Sequence, residues 1–545
     1  MNQAHPTTIA LEAAEISNRS RASWSTRDLP LSFWAAWPWW LPPALVSLLL
    51  VLYFVDPFIG DWDGLDYTML ALAGYPSSMA LGRNLFIFGN HVLYELAHAL
   101  FDVQPEHGYL IFKYAVVAQA PLAVITCWEL AREFTGSLQS ATLAALFLVF
   151  SPVFVLYGGQ VMTDVPSVLF IAAAMIIHWR GVKQYRPWMV VAGAVVLGLG
   201  VNLRETVGFY APWLMLAPFV GGWRPRRREI YYVILSLFVF LLISLGWFGY
   251  WFISDAHYRF IWFGWRESMR QETARHPVTV LNLWPFLMYF FVSAPLVFLS
   301  FPFAMNREWR QRKLSPLLLL ALLGLFADGL LFLNYSTAVN WRYLLAGLPA
   351  LAPLSAQYLL ERLSQLLRST KVAFVCCIVA LLVLATVFSI LIRPVSRQFI
   401  QRRAMSKEYR HQLQHVPPDA VMISGAQTIA VTYWKAIGLG NWKTIGTGGG
   451  WPGDKLVPEI EAYLDGGRRV FLDADPRWWM PCGWQRDEIA AIVGLKKQFS
   501  FRRITDTIYE IKRAGDRSAQ DSPNLEQLLP ENRPEDTRKC PPGSA

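Results

Sequence analysis

Long apolar runs separated by short polar connections fill most of the first 392 residues. An α-helix needs about 20 residues to cross the hydrocarbon core of a bilayer, and we accept about 15 where helices pack short or end at polar re-entrant sites. On this criterion the pattern predicts about eleven transmembrane helices. They are Trp34–Val55, Tyr109–Leu130, Ala141–Tyr157, Val165–Trp179, Trp188–Val201, Val207–Val220, Tyr231–Ile253, Leu283–Phe303, Leu314–Leu333, Tyr343–Leu360 and Val372–Ile392.

The outward segment between the first two predicted spans, residues 60–108, has a mixed pattern. "SSMALGRNLFIFGN" and "HVLYELAHALFDV" place apolar and polar residues at roughly helical spacing. This spacing favours amphipathic helices that lie in the membrane interface. The alternative is that part of the segment forms an additional span.

The pattern changes after the last predicted span. Short β-type runs such as "AVMISG", "KTIGTG", "RRVFLDAD" and "FSFRRITDTIYEIK" alternate with helix-type runs such as "KLVPEIEAYLDGG" and "RDEIAAIVG". Such alternation predicts a small α/β domain with a largely parallel sheet. The predicted organisation is a cytoplasmic arm (1–33), a transmembrane domain (34–392), an extracytoplasmic α/β domain (393–512) and a disordered tail (513–545).

Charge sets the predicted orientation. Lys and Arg are concentrated in alternate connections, which the positive-inside rule places in the cytoplasm together with the amino terminus. The connection at residues 60–108 then faces outward, and so does the carboxyl-terminal domain. Basic residues directly after the last span conflict with this parity, but five connections agree with it. The basic residues of those five connections are Arg132; Arg180, Lys183 and Arg186; Arg224 and Arg226 to Arg228; Arg307, Arg310, Arg312 and Lys313; and Arg362, Arg368 and Lys371.

Composition supports a polytopic membrane protein and excludes several functional classes. Of the 545 residues, 54% are hydrophobic and 16% are charged, whereas soluble domains have about 25% charged residues. The net charge of +10 comes from these clusters between spans and does not indicate nucleic-acid binding. The five cysteines form no CxxC or metal-ligand spacing. We therefore expect no cofactor and no metal, with a divalent ion at Asp61, Asp63 and Asp66 as the alternative. The first thirty or so residues are polar and lack a cleavable-signal pattern, which predicts an uncleaved first span.

Three acids mark the outer end of the first span. In "FIGDWDGLDYTMLALAG", Asp61, Asp63 and Asp66 lie within six positions. Charge at that depth is costly and usually functional. A carboxylate at the outer surface is suited to general-base catalysis, and outward cations are suited to binding a phosphate. The predicted outward cations are Arg83, Lys113, Arg204, Arg259, Arg266 and Arg342.

Several segments resemble the polyprenyl-phosphate-sugar glycosyltransferases of the GT-C superfamily, which includes aminoarabinose transferases and protein O-mannosyltransferases. "DGLDYTMLA" resembles their first outward loop, "VMTDVPSVLF" a Thr-Asp-x-Pro span entry, and "NWRYLLAGLPALAPL" an Arg-Tyr-Leu-Leu-Pro span. "GNHVLYELAHALFDVQPEHGYLIFKYAVV" resembles their second juxtamembrane helix, although two prolines of that pattern are missing here. The resemblance extends over roughly residues 34–360.

The resemblance implies an inverting glycosyltransferase that moves a monosaccharide from a polyprenyl-phosphate donor, within the membrane lipids, to an extracytoplasmic glycan, lipid or protein. It implies Asp63, Asp66 and Asp164 as catalytic candidates, with Asp63 as the general base. The substrate-binding candidates are Asp61, Tyr67, His91, Tyr94, Lys113, Arg204, Glu205, Arg342 and Tyr343.

Structural interpretations remain open for several of these residues. Asp164 precedes Val-Pro, an ordinary helix-capping context, and Arg204 with Glu205 resembles a paired turn. His91 also fits a structural hydrogen-bonding role. At the level of the whole protein, the alternatives are a transporter or flippase of lipid-linked glycans and a non-catalytic membrane assembly protein. A transporter would typically show internal repeats, and we find none.

Overall fold

The structure, a computed structural model, describes part of the chain. The described residues are 32–54, 62–220, 227–275, 283–311, 314–334, 341–391, 408–425, 433–445, 455–479, 486–516, 518–519 and 521–532. Residues 1–31 of the predicted cytoplasmic arm, and Asp61, lie outside these ranges.

Helices make up the larger, amino-terminal part. In chain order they are α1 (Trp37–Phe54), α2 (Trp62–Ala73), α3 (Asn84–Phe101), α4 (Pro105–Thr135), α5 (Leu138–Val149), α6 (Pro152–Gly158), α7 (Asp164–Lys183), α8 (Pro187–Leu203), α9 (Ala211–Leu216), α10 (Arg227–Ser254), α11 (Ala256–Arg275), α12 (Leu283–Ser293), α13 (Pro295–Arg310), α14 (Pro316–Asn334), α15 (Leu348–Leu367) and α16 (Thr370–Leu391). Short 3₁₀ helices cover Glu205–Tyr210, Ala217–Phe219 and Trp341–Leu345.

Several of these helices are suited to crossing a membrane. Within the described residues, five are long and apolar enough by themselves, namely α1, α4, α7, α10 and α16, and the number rises to seven if two bent pairs are counted as single spans. The shorter apolar helices α8 and α14 accompany them. The chain is therefore a multi-pass membrane protein, whereas the predicted number of about eleven spans is not reproduced within the described residues.

Proline explains where predicted spans are broken. The predicted span Ala141–Tyr157 is the pair α5 and α6, bent by 63°, and Leu283–Phe303 is the pair α12 and α13, bent by 108°. Pro152 and Pro295 begin the second helix of each pair. Because proline has no N–H to continue a helical hydrogen-bond ladder, a new helix starts there in a new direction.

The predicted span Val207–Val220 is broken as well. Two 3₁₀ helices flank the six-residue helix α9 in this region. Pro212 and Pro218 each lie within the first two positions of a short helix, which again restarts the chain direction.

Close packing of α7 against α8 forms the centre of the bundle. A Cβ atom on Gly193 would lie 2.6 Å from the Cβ of His178, and one on Gly181 would lie 2.5 Å from the backbone nitrogen of Val190. Only glycine permits this approach, which is the usual way apolar helices associate in a bilayer. The resulting hairpin places the amino-terminal end of α7 beside the carboxyl-terminal end of α8.

The segment predicted to face outward between the first two spans contains two helices, α2 and α3. The predicted amphipathic stretches at 77–90 and 91–103 are one helix, α3, which begins at Asn84. Its apolar residues Val92, Leu96, Leu100 and Phe101 are 53–77% exposed, as expected of a helix at the membrane interface.

The carboxyl-terminal unit, residues 408–532, contains a five-stranded sheet. The strands are β1 (Val421–Ile423), β2 (Lys443–Thr444), β3 (Val470–Asp473), β4 (Phe499–Arg503) and β5 (Ile508–Arg513), and the helices are α17 (Tyr433–Ala436), α18 (Leu456–Asp465) and α19 (Arg486–Gly494). The strand order is β2-β1-β3-β5-β4.

The sheet is mixed, whereas the pattern predicted a largely parallel one. β1 pairs in parallel with β2 and β3, but β5 is antiparallel to β3 and β4. The segment "FSFRRITDTIYEIK" is the reason, because it folds back on itself as the hairpin β4–β5. Leu525 and Leu528 are fully buried in the core of this unit, so the predicted domain boundary at residue 512 is too early.

Candidate active site

Asp63 and Asp66 lie on a helix, α2, which their position at the end of a predicted span did not indicate. Asp63 is in the first turn of α2, where the positive end of the helix dipole favours a carboxylate. The helix ends at Gly74, whose φ of 61° requires the left-handed conformation. On α3, the Nδ1 atom of His91 lies 2.8 Å from the carbonyl oxygen of Ala71. His91 thus holds the end of α2 and has a structural role.

An ion pair joins α2 to the 3₁₀ helix Trp341–Leu345. The Nη2 atom of Arg342 donates to Oδ2 of Asp63 over 2.7 Å. Asp63 and Arg342 are 279 positions apart in the chain. Their side chains are 22% and 10% exposed, so this is a largely buried charge pair. Two segments that separately resemble GT-C motifs therefore meet in space.

A second pair joins α3 to the 3₁₀ helix Glu205–Tyr210. Arg83 donates from Nη2 to Oε1 of Glu205 over 3.0 Å and from Nε to Oε2 over 3.3 Å. This two-pronged geometry is the strongest arrangement for an arginine–carboxylate contact. The guanidinium also lies 5.1 Å from the ring centre of Tyr67 on α2, a cation–π distance.

A third ion pair, between Arg204 and Asp164, is more deeply buried than the other two. Nη1 of Arg204 is 2.6 Å from Oδ1 of Asp164, and the two side chains are 4% and 1% exposed. The same nitrogen donates to Oγ1 of Thr163 over 3.1 Å. Removing one partner of such a buried pair typically costs about 3–5 kcal/mol. Asp164 is therefore the first residue of α7, directly after the N-cap residue Thr163, and it also neutralises an arginine.

Tyrosine rings connect these arginines. The guanidinium carbon of Arg204 lies 5.4 Å, and that of Arg342 5.6 Å, from the ring centre of Tyr343. Arg342 also lies 6.0 Å from the ring centre of Tyr157. Because the ring faces are electron-rich, they help to hold two positive charges close together.

A small pocket opens between these groups. It is too narrow to admit a water-sized sphere. The polar wall includes Arg204 and Arg342, and the apolar wall includes Leu331, Leu345 and Ala346. The space is narrow, so it has to open further to accept a sugar phosphate. The lining also includes Asp164, and its combination of two arginines with apolar side chains is suited to a phosphate that carries a hydrocarbon chain.

The two described acids of α2 have opposite pKa shifts. Burial acts to raise the pKa of Asp63, but the charges of Arg342, Arg83 and Arg204 outweigh it and lower the pKa. Burial, together with the neighbouring charge of Asp63, raises the pKa of Asp66 to about 7. Within the described part of the chain, no cation lies at salt-bridge distance from Asp66. At neutral pH α2 therefore contributes one firmly ionised carboxylate and one that is partly protonated to the site.

The turn before Arg83 is held by α11. Tyr258 donates from its hydroxyl to the carbonyl of Ser77 over 3.1 Å, and Trp262 donates from Nε1 to the carbonyl of Ala80 over 2.8 Å. Arg83 itself has a φ of 47°, a backbone conformation that residues other than glycine rarely adopt without support. These contacts stabilise the conformation that directs Arg83 into the cluster.

The structure brings together most of the predicted site residues. Those in the cluster are Asp63, Asp66, Tyr67, Asp164, Arg204, Glu205, Arg342 and Tyr343. Tyr94 is buried and stacks on His98 at 5.9 Å. Lys113, fully buried, lies 4.5 Å from the ring centre of Tyr109. These contacts support a packing role for Tyr94 and Lys113.

Sequence reasoning did not assign three members of the cluster. Arg83 was noted only as an outward cation, while Thr163 and Tyr157 were not singled out as ligands. Thr163 could have been found, because it stands beside Asp164 in the Thr-Asp-x-Pro motif. Nothing in the sequence indicates Tyr157. Among the described residues, no group of three or more His, Cys, Asp or Glu is arranged to hold a metal ion.

Comparisons with known proteins find similar sequences and similar folds. Residues 91–247 match the family of dolichyl-phosphate-mannose-protein mannosyltransferases. An undecaprenyl phosphate-α-4-amino-4-deoxy-L-arabinose arabinosyl transferase of Pseudomonas aeruginosa UCBPP-PA14 is 27% identical over 319 residues, covering 56% of this chain and 53% of that protein. A Sodalis glossinidius homologue of the same description is 27% identical over 249 residues, 43% of each chain. The chain thus spans about half the length of the curated relatives it matches.

Two solved structures share the fold. The crystal structure of ArnT from Cupriavidus metallidurans bound to undecaprenyl phosphate superposes with a TM-score of 0.53 at 15% identity, covering 89% of this chain and 98% of that one. The Archaeoglobus fulgidus oligosaccharyltransferase superposes with a TM-score of 0.50 at 11% identity, covering 87% and 73%. The resemblance to the polyprenyl-phosphate-sugar glycosyltransferases of the GT-C superfamily is therefore confirmed, with aminoarabinose transferases and protein mannosyltransferases as the similar proteins.

Proposed function

We propose that this protein is a membrane glycosyltransferase that takes a monosaccharide from a polyprenyl-phosphate donor and transfers it to an extracytoplasmic acceptor. The ion pair between Asp63 and Arg342 is the observation that carries the proposal. It joins a candidate base to a candidate phosphate ligand in one buried cluster. The sequence match to arabinosyl transferases supports the same class of donor.

The donor phosphate would bind to Arg342 and Arg204. Both side chains are at most 10% exposed, and both line the same pocket. Arginine offers two parallel N–H groups to a phosphate, and a poorly hydrated environment strengthens such contacts. The apolar wall formed by Leu331 and Leu345 would receive the first part of the polyprenyl chain from the bilayer.

Phosphate binding would also separate Asp63 from Arg342 and make this carboxylate a stronger base. In the free protein Arg342 holds Asp63 and lowers its pKa, so this carboxylate is a weak proton acceptor. A donor phosphate that binds Arg342 would compete for the guanidinium and add negative charge nearby. Both effects raise the pKa of Asp63. The base would therefore gain strength when the donor is in place.

The reaction follows from this arrangement. The acceptor hydroxyl oxygen attacks the anomeric carbon from the side opposite the phosphate, while Asp63 accepts the hydroxyl proton. The bond between the anomeric carbon and the phosphate oxygen breaks, and the electron pair leaves with the polyprenyl phosphate. The arginines stabilise the charge that develops on this leaving group. The anomeric configuration is inverted. The step uses neither a metal nor a cofactor.

The experiment is a transfer assay with the purified full-length protein in lipid nanodiscs. The donors are undecaprenyl-phosphate-linked 4-amino-4-deoxy-L-arabinose and polyprenyl-phosphate mannose, and extracted cell-envelope lipids, glycans and proteins serve as acceptors. Mass spectrometry should detect the release of polyprenyl phosphate together with a product heavier by one sugar. Asp63→Asn should lower the initial rate by roughly 10²–10⁴-fold, and Asp66→Asn should lower it less.

The same protein in sealed vesicles tests the transporter alternative. A flippase would move an intact lipid-linked glycan across the bilayer without breaking the sugar–phosphate bond. Translocation without sugar release, unaffected by Asp63→Asn, would contradict the proposed function.

A further inference from the structure

The helix that carries the candidate base has two buried faces. On one face, Tyr67 and Ala71 are fully buried in the core of the transmembrane part. On the other face, Leu65 is 2% exposed, and Met69 packs beside it. α2 therefore lies between two hydrophobic clusters and not on the surface of one.

The second cluster belongs almost entirely to the carboxyl-terminal unit. Leu65 is the sole buried contribution from the transmembrane part among the residues described for it. The other buried members are Tyr409, Leu413, Val416, Ala420, Met422, Tyr433, Trp434, Trp442, Phe471, Trp478 and Ile508. Helix α17 of this unit lies directly against α2.

The geometry of α2 connects this contact to the acids. Leu65 and Met69 are four positions apart, so they lie on the same side of the helix. Asp63 lies two positions before Leu65, and Asp66 lies one position after it. A rotation or tilt of α2 at Leu65 would therefore move both carboxylates relative to Arg342 and Arg83.

α2 is too short to define its own position. It has 12 residues, and an isolated helix of this length is only marginally stable in water. Its axis must be set by what it packs on. A polar contact between the two parts, Arg410 to Glu106 at 3.9 Å with both side chains more than 40% exposed, adds little. The apolar contact through Leu65 is the stronger constraint.

We propose that the carboxyl-terminal unit is a positioning element of the active site, which holds α2 through Leu65 and Met69 so that Asp63 and Asp66 face the arginine cluster. The inference rests on the proposed function for its catalytic consequence. Leu65 is a positioning residue, because it acts on the carboxylates and touches no reacting atom. The unit contributes the buried hydrophobic side chains, most of them aromatic, of the cluster that contains Leu65.

The test compares Leu65→Ala with Leu65→Met in the full-length protein. Methionine keeps the volume and the apolar character, so Leu65→Met should transfer sugar at close to the parent rate. Leu65→Ala should lower kcat about 10- to 100-fold, the effect expected when a reacting group is misplaced by about 1 Å. The KM for the donor should change much less, because Arg342 and Arg204 are untouched. Met69→Ala should change kcat in the same direction, and it provides the comparison if Leu65→Ala does not fold.

A matched control separates positioning from general stability. Leu528 is fully buried in the other hydrophobic cluster of the carboxyl-terminal unit, away from α2. Leu528→Ala removes as many side-chain atoms as Leu65→Ala, and at a temperature where both are folded it should keep the parent kcat. Hydrogen–deuterium exchange without substrate should increase for peptide 62–73 in Leu65→Ala and remain unchanged in Leu528→Ala.

The two readouts distinguish failure of this inference from failure of the proposed function. Parent-like kcat and parent-like exchange in Leu65→Ala would overturn the inference and leave the glycosyltransferase proposal standing. Equal loss of kcat in Leu528→Ala would also overturn it. An inactive parent whose α2 exchange still rises in Leu65→Ala would instead overturn the proposed function, and with it the catalytic meaning of the contact.

Discussion

Replacing Arg342 by alanine should weaken donor-lipid binding for two separate reasons. The first is the loss of an attractive contact. A hydrogen bond to a charged group contributes about 1.5–3 kcal/mol, which corresponds to a loss of about 10- to 100-fold in affinity. Arg342→Lys keeps the charge but not the two-pronged geometry, so its loss should be smaller.

The second reason is that the substitution leaves the negative charge of Asp63 without its partner, so this carboxylate repels the phosphate. In the native site Arg342 neutralises this carboxylate over 2.7 Å. Without it, the carboxylate is left in a place where 22% of its side chain is exposed. Two like charges about 4 Å apart repel by about 4 kcal/mol at an effective dielectric constant of 20, and protonation of Asp63 will relieve part of that energy.

A double substitution separates the two effects. Adding Asp63→Asn to Arg342→Ala removes the repulsion, so the double variant should bind undecaprenyl phosphate at least about tenfold more tightly than Arg342→Ala alone. Transfer should remain absent, because the base is gone. The energies of the two changes are thus strongly non-additive, as expected for directly interacting groups.

The assay is a titration of the purified protein with undecaprenyl phosphate, followed by the thermal unfolding midpoint. The midpoint rises with the logarithm of the ratio of ligand concentration to Kd once that ratio is large. Arg270→Ala serves as the matched control, because Arg270 is 76% exposed and pairs with Glu267 on the same helix. Binding equal to the parent in Arg342→Ala, or a double variant that binds more weakly than either single variant, would refute the reasoning.

Three further predictions follow from the same structure. The KM for a phosphodiester donor should rise about fivefold from pH 6 to pH 8, because Asp66, whose pKa is about 7, ionises and repels the phosphate by about 1 kcal/mol; steady-state kinetics of Asp66→Asn should show no such rise. A cysteine at the exposed Ala462 should react with an impermeant reagent from outside intact cells, and labelling only after lysis would contradict the topology. Ser137→Ala should destabilise the protein by about 1 kcal/mol in thermal unfolding, because the Ser137 hydroxyl caps α5.

The sequence predicted which segments are apolar but not how many straight helices they form. Hydropathy measures transfer to lipid, and it does not record that Pro152 and Pro295 restart the helix in a new direction. The hairpin β4–β5 was similarly hidden, because a continuous β-type run does not reveal the turn at residues 504–507. Ser424, at the end of the β-type run "AVMISG", is buried and donates to Asp473 over 3.0 Å, a contact that the run does not reveal.

The site was partly predictable because its motifs are local. Asp63, Asp164 and Arg342 each stand in a short segment that resembles a GT-C motif. Their pairing is a property of the fold, since the Arg342–Asp63 contact joins residues 279 positions apart. The same holds for Arg83, which is brought to Glu205 across 122 positions. Residue type indicated the chemistry, while three-dimensional packing decided which charges meet.

The most direct test of the account is a cryo-electron microscopy structure of the protein in nanodiscs with undecaprenyl phosphate bound. The account predicts phosphate density within hydrogen-bond distance of the guanidinium groups of Arg342 and Arg204, polyprenyl density along Leu331 and Leu345, and an Asp63 carboxylate that has separated from Arg342. Phosphate density elsewhere, with the Asp63–Arg342 pair intact, would contradict the central claim that this buried arginine cluster binds the donor and releases the base.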